Sequence, residues 1–111
     1  MKDKLIGLIE LSLLQFDDLV AEGNKYFCKD KEPVLSTVKV LTLLKEEVQN
    51  NPGNIDERLL RAMRNVGLSS FRTFENTPLE HSIPQITGIL RKEFPEYDDL
   101  EPLNRDFWKK E

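Results

Sequence analysis

The stretch LIGLIELSLLQFDDLV, Leu5 to Val20, decides how the chain of 111 residues is read. At about 100° per residue, Leu5, Leu8, Ile9, Ser12, Leu13, Phe16, Leu19 and Val20 fall in one arc, with Lys4, Glu10, Gln15, Asp17, Asp18 and Glu22 outside it. That is an amphipathic helix, expected from about Asp3 to Gly23. Leu11 and Leu14 break the pattern, because they project from the polar side in the stripe that also holds Gly7 and Asp18. A helix apolar on nearly two faces requires cover on both. Other helices of the same chain are expected to supply it, since exposed apolar patches on monomers are small, and a second copy of the chain is the alternative.

Working outward, breakers divide the rest into further helical segments. Residues 24–31 either extend the first helix, with Tyr26 and Phe27 in phase, or form a loop. Pro33 suits the first turn of a second helix, Pro33 to Gln49, buried through Val34, Thr37, Val38, Leu41, Leu44 and Val48. The β-branched run Val34 to Val40 also suggests a strand, but Leu35 and Leu41 to Leu44 break the alternation, so helix is preferred. Asn50 to Asn54, with Pro52 and Gly53, is the clearest turn. A third helix, Ile55 to Val66, is expected to bury Ile55, Leu59, Ala62, Met63 and Val66 and to end at Gly67, with Leu68 to Glu75 irregular apart from a further turn at Phe71 and Phe74. Thr77-Pro78-Leu79-Glu80 matches a capping box and opens a fourth helix, carrying Leu79, Ile83, Ile86, Leu90 and Phe94 inward. Pro84 removes a donor inside it, predicting a kink or a restart at Ser82, where Ser82 to Gln85 repeats the capping pattern.

These segments predict one domain, residues 1–111, of the all-α class: a four- or five-helix bundle with a docked acidic C-terminal segment. The tail from Pro95 is expected to dock because Tyr97, Leu100, Leu103, Phe107 and Trp108 give it apolar surface that a disordered arm would lack. With 39% hydrophobic and 32% charged residues, the composition is that of a globular protein rather than a disordered or membrane one. Gly7, Glu10, Ser12 and Gln15 interrupt the longest apolar region below the ~20 residues of a membrane span. Asp3 and Glu10 argue against a secretory signal, and the lone Cys28 against a disulfide framework, so a cytoplasmic location is expected. All of the net charge of −4 lies in the tail, where seven carboxylates from Glu93 onward oppose Arg105, Lys109 and Lys110. Such a balance disfavours nucleic acid as a ligand.

Chemistry-bearing constellations are scarce. One histidine, His81, and one cysteine, Cys28, far apart in sequence, satisfy neither a zinc site nor the Glu-x-x-His pairs of a di-iron bundle. His81 reads as a solvated first-turn residue and Cys28 as an inert thiol despite Lys25, Lys29 and Lys31 nearby. The acidic pairs Asp18 with Glu22 and Glu10 with Asp17 read as solvated helix surface. No phosphate loop, nucleophile elbow or HExxH motif occurs, so neither catalytic residues nor cofactors are assigned.

What remains is a contrast of charged surfaces. Arg58, Arg61 and Arg64, with Arg72 beyond, form an acid-binding strip, because the planar guanidinium matches carboxylates. The favoured source of acid is internal, the chain's own tail folding back. Nucleic acid on the strip, with Phe71 and Phe74 stacking, runs against the overall charge. The leading functional expectation is a non-enzymatic protein-binding module, of the kind of immunity proteins or other small acidic bacterial inhibitors. Its contact residues would be Glu96, Tyr97, Asp98, Asp99, Glu101 and Trp108. A self-associating structural or regulatory subunit, a homodimer through Gly7, Leu11 and Leu14, is the second. A small helical enzyme or ligand carrier with a cavity near His81 or Cys28 is the third.

Overall fold

The computed structural model describes residues 2–21, 32–51, 53–73 and 78–103, with the backbone alone at 19–21, 32–34 and 70–73. Among the described residues four helices make up an all-α bundle: α1 (Lys2–Ala21), α2 (Glu32–Asn50), α3 (Glu57–Thr73) and α4 (Leu79–Glu93). A short 3-10 turn, Tyr97–Asp99, follows, and no strand occurs among the described residues. Helix α1 packs on α2 and α4, α3 packs on the same two, and the 3-10 turn lies against α3 and α4.

The described parts of the predicted stripes meet in one core, the side chains of Leu19, Val20 and Val34 lying outside the described residues. From α1 come Leu5, Ile9, Ser12 and Phe16, spaced by four, three and four residues, while Leu8 and Leu13 flank them half-buried. Ser12 is accommodated because its hydroxyl donates to the Leu8 carbonyl at 2.9 Å. Helix α2 contributes Thr37, Val40, Leu41, Leu44 and Val48, which settles Val34 to Val40 as helix; Val38 sits at the margin and Val40 replaces it inside. Burying about a dozen large side chains in this way stabilises the bundle by roughly 1.5–3 kcal/mol each before chain entropy is subtracted.

Three boundaries differ from the expected ones. Helix α3 begins after Asp56, whose carboxylate accepts the Arg58 N–H at 2.9 Å, an N-cap that the reading from Ile55 passed over. It then runs through Gly67 to Thr73. Gly67 is not a terminator; a Cβ there would meet Thr87 Cγ2 of α4 at 3.0 Å, so the missing side chain serves close approach of two helices. Helix α4 continues unbroken through Pro84. Ser82 does not restart it, because its hydroxyl donates instead to Gln15 Oε1 of α1 at 2.8 Å, and Gln85 Nε2 donates to the His81 carbonyl at 3.2 Å. Pro78 has helical angles, φ −58° and ψ −23°, and its carbonyl accepts the N–H groups of His81 and Ser82. Thr77, the other end of the expected capping box, lies outside the described residues, as do 22–31 and 104–111.

Candidate functional site

Arginines of two helices grip the chain that follows α4. Arg61 Nε donates to the Glu101 carbonyl at 2.9 Å and Arg64 Nε to the Leu100 carbonyl at 2.8 Å, while the Leu103 N–H returns a bond to the Arg61 carbonyl at 3.0 Å. Asp98 is held from both sides. Arg91 Nε lies 2.7 and 2.8 Å from its two oxygens, and Arg64 Nη1 reaches it at 3.4 Å. Sequence reasoning missed Arg91, for its seven-residue separation from Asp98 acquires meaning only once the chain folds back after Phe94.

The arginine strip is therefore turned largely toward the chain's own backbone carbonyls, and among the described carboxylates only Asp98 pairs with it. Arg58 stands exposed in the first turn of α3, and the side chain of Arg72 lies outside the described residues. Glu93, Glu96, Asp99 and Glu101 remain outward and exposed. One expected contact residue needs correction. Tyr97 is 1% exposed, its ring packed into the core, so it anchors the segment to its own bundle and presents no surface to a protein partner. Trp108 lies outside the described residues.

The Tyr97 hydroxyl is buried without a hydrogen-bond partner among the described residues. Burial pushes it well above the usual phenol range; the positive charges of Arg64 and Arg91 pull it part of the way back, and Asp98 adds to the rise. Tyr97 also lines a half-open groove of about 310 Å³ between α3 and α4, together with Arg64, Gly67, Leu68, Pro84, Thr87 and Arg91.

On the far side of the molecule, Leu11 and Leu14 are 45% and 63% exposed, and nothing lies within 4 Å of where a Gly7 Cβ would stand. Cover by the other described helices, the expected arrangement, is thus not what these residues have, because α2 and α4 both pack on the opposite arc of α1. Lys4 and Asp18, at the two ends of the same stripe, are exposed as well. His81 is exposed near the start of α4, and Cys28 lies outside the described residues. Among the described residues no group of three His, Cys, Asp or Glu side chains could hold a metal ion, and no helix is long and apolar enough to cross a membrane.

The chain matches no family model, no curated protein and no solved structure.

Proposed function

We propose that the chain is a non-catalytic binding protein that presents an acidic surface to a basic protein partner. One observation carries this reading: the backbone after α4 is pinned by Arg61, Arg64 and the buried Tyr97, while Glu93, Glu96, Asp99 and Glu101 point outward with no ion-pair partner among the described residues. Carboxylates held on an ordered segment lose little freedom on docking, and clustered charge of one sign speeds encounter with the opposite sign. An inhibitor of immunity type, capping a basic toxin, is the most specific form of the proposal. The test is capture from an extract at about 50 mM and about 500 mM salt, followed by rate measurements on the purified captured protein. Association should slow by tenfold or more at high salt and in the combined Glu96→Gln, Asp99→Asn, Glu101→Gln variant. Equal rates in both salts and with the variant would overturn it.

The exposed α1 stripe supports a second reading, self-association. Lys4, Gly7, Leu11, Leu14 and Asp18 are spaced three, four, three and four residues apart, a seam that is its own complement about Leu11. An antiparallel second copy would set Lys4 beside Asp18 of that copy and Leu14 over its Gly7. Asp3 and Asp17 flank the seam on one side and limit its strength. Lys4→Asp and Asp18→Lys should each dissociate the dimer in sedimentation equilibrium, and the two together should restore it. A monomer at millimolar concentration would remove this reading.

A further inference from the structure

We propose that the groove between α3 and α4 binds a small organic monocarboxylate with an apolar chain, its carboxylate received by Arg64, Arg91 and the Tyr97 hydroxyl. The proposal does not depend on the acidic surface, none of whose carboxylates Glu93, Glu96, Asp99 and Glu101 lines the groove. Charge comes first. Two guanidinium groups line the groove and Asp98 is the only carboxylate paired with them among the described residues, so one positive charge is left over. A monoanion neutralises it; a dianion would reverse it.

Hydrogen-bonding capacity points the same way. Arg91 engages Asp98 through Nε, its outer N–H groups making no bond among the described residues, and Arg64 divides its bonds between the Leu100 carbonyl and Asp98. The Tyr97 hydroxyl, on a side chain 1% exposed, has no hydrogen-bond partner among the described residues, although buried hydroxyls in folded proteins nearly always find one. Tyr97 lines the groove together with Arg64 and Arg91, and burial keeps its hydroxyl protonated as a donor. The site is rich in donors and short of acceptors, the condition that a carboxylate satisfies.

The remaining walls are apolar. Leu68 is 59% exposed at the rim, Pro84 has no N–H to offer, and the Thr87 hydroxyl is already committed to the Pro84 carbonyl at 3.0 Å, leaving its methyl group toward Gly67. A volume of about 310 Å³ is at the small end for ligand sites, so the ligand is a short-chain acid rather than a long lipid.

The experiment is an NMR titration of the full chain with sodium hexanoate, using hexanol and hexylamine as controls. Hexanoate should shift the Gly67 and Thr87 amides and the Arg64 and Arg91 Nε–H resonances saturably, with the controls inert. Arg91→Gln should weaken binding at least tenfold and Tyr97→Phe, which keeps the buried ring, about three- to tenfold. Leu68→Glu tests the site without touching Asp98 or the core, and should abolish binding. No saturation by about 20 mM, equal shifts with hexanol, or unchanged affinity in Leu68→Glu would each overturn the proposal.

Discussion

Tyr97 and Leu14 are both large apolar side chains set among charges, and they finish on opposite sides of the surface: Tyr97 is 1% exposed and Leu14 is 63% exposed. Tyr97 follows a helix whose end, at Phe94, turns the chain back toward α3, where Arg61 and Arg64 take up its carbonyls. The backbone of Tyr97 itself is satisfied locally, its N–H donating to the Phe94 carbonyl at 2.8 Å and its carbonyl accepting the Leu100 N–H at 3.2 Å, so the ring enters the core without an orphaned main chain beside it. Leu14 sits on a helix that already buries Leu5, Ile9 and Phe16 against α2 and α4, and none of the described elements crosses its other face. An apolar residue in a polar neighbourhood is buried where other elements lie across it, as α3 and α4 lie across Tyr97. Hydrophobicity alone does not decide.

Breaking the comparison at its strongest point means removing the ring. Tyr97→Ala should cost about 3–5 kcal/mol in urea unfolding, as a large buried aromatic does, and a cost near zero would mean the segment is not held by it. Arg64→Ala sharpens the role of the clasp. Losing a charge-assisted bond to the Leu100 carbonyl should cost about 1.5–3 kcal/mol, with hydrogen exchange accelerating over 97–103 before it does in α1 or α2. Alkaline pH probes the same residue more gently. Because burial raises the Tyr97 hydroxyl, the folded chain keeps its proton at a pH where the unfolded chain has lost it, so unfolding releases a proton and stability falls as pH rises above about 10. Compared with Tyr97→Phe, the wild type should lose up to about 1.4 kcal/mol per pH unit there; parallel curves for the two proteins would count against the buried hydroxyl. At the other pole, Leu14→Ser should change the stability of the monomer by less than about 0.5 kcal/mol, and a larger loss would show that something covers α1 after all.

Much of the architecture was legible in the residues because helical periodicity is a local property. The arcs Leu5, Ile9, Phe16 and Leu59, Ala62, Met63, Val66 repeat at the spacing of the helix itself, and both are buried as that spacing requires. Where local reading failed, a distant partner had intervened. Gly67 looks like a terminator and is instead a place where Thr87 comes within contact distance; Ser82 looks like a cap and instead binds Gln15 across the bundle. Pro84 costs α4 one backbone donor, a loss outweighed by an inward face that includes Ile83, Ile86 and Leu90 on both sides of it.

The candidate surfaces divide in the same way. From the sequence by itself came the helical class, the four described helices to within a turn or two at most ends, the concentration of acid after α4, and the outlying positions of Leu11 and Leu14 on α1. Only the tertiary structure decided that Tyr97 turns inward, that Arg91 joins Arg64 on Asp98, and that Glu96, Asp99 and Glu101 stay outside. Periodicity is fixed by bonds between residues three and four apart, whereas the orientation of a charged segment depends on which donors from remote helices reach its carbonyls first.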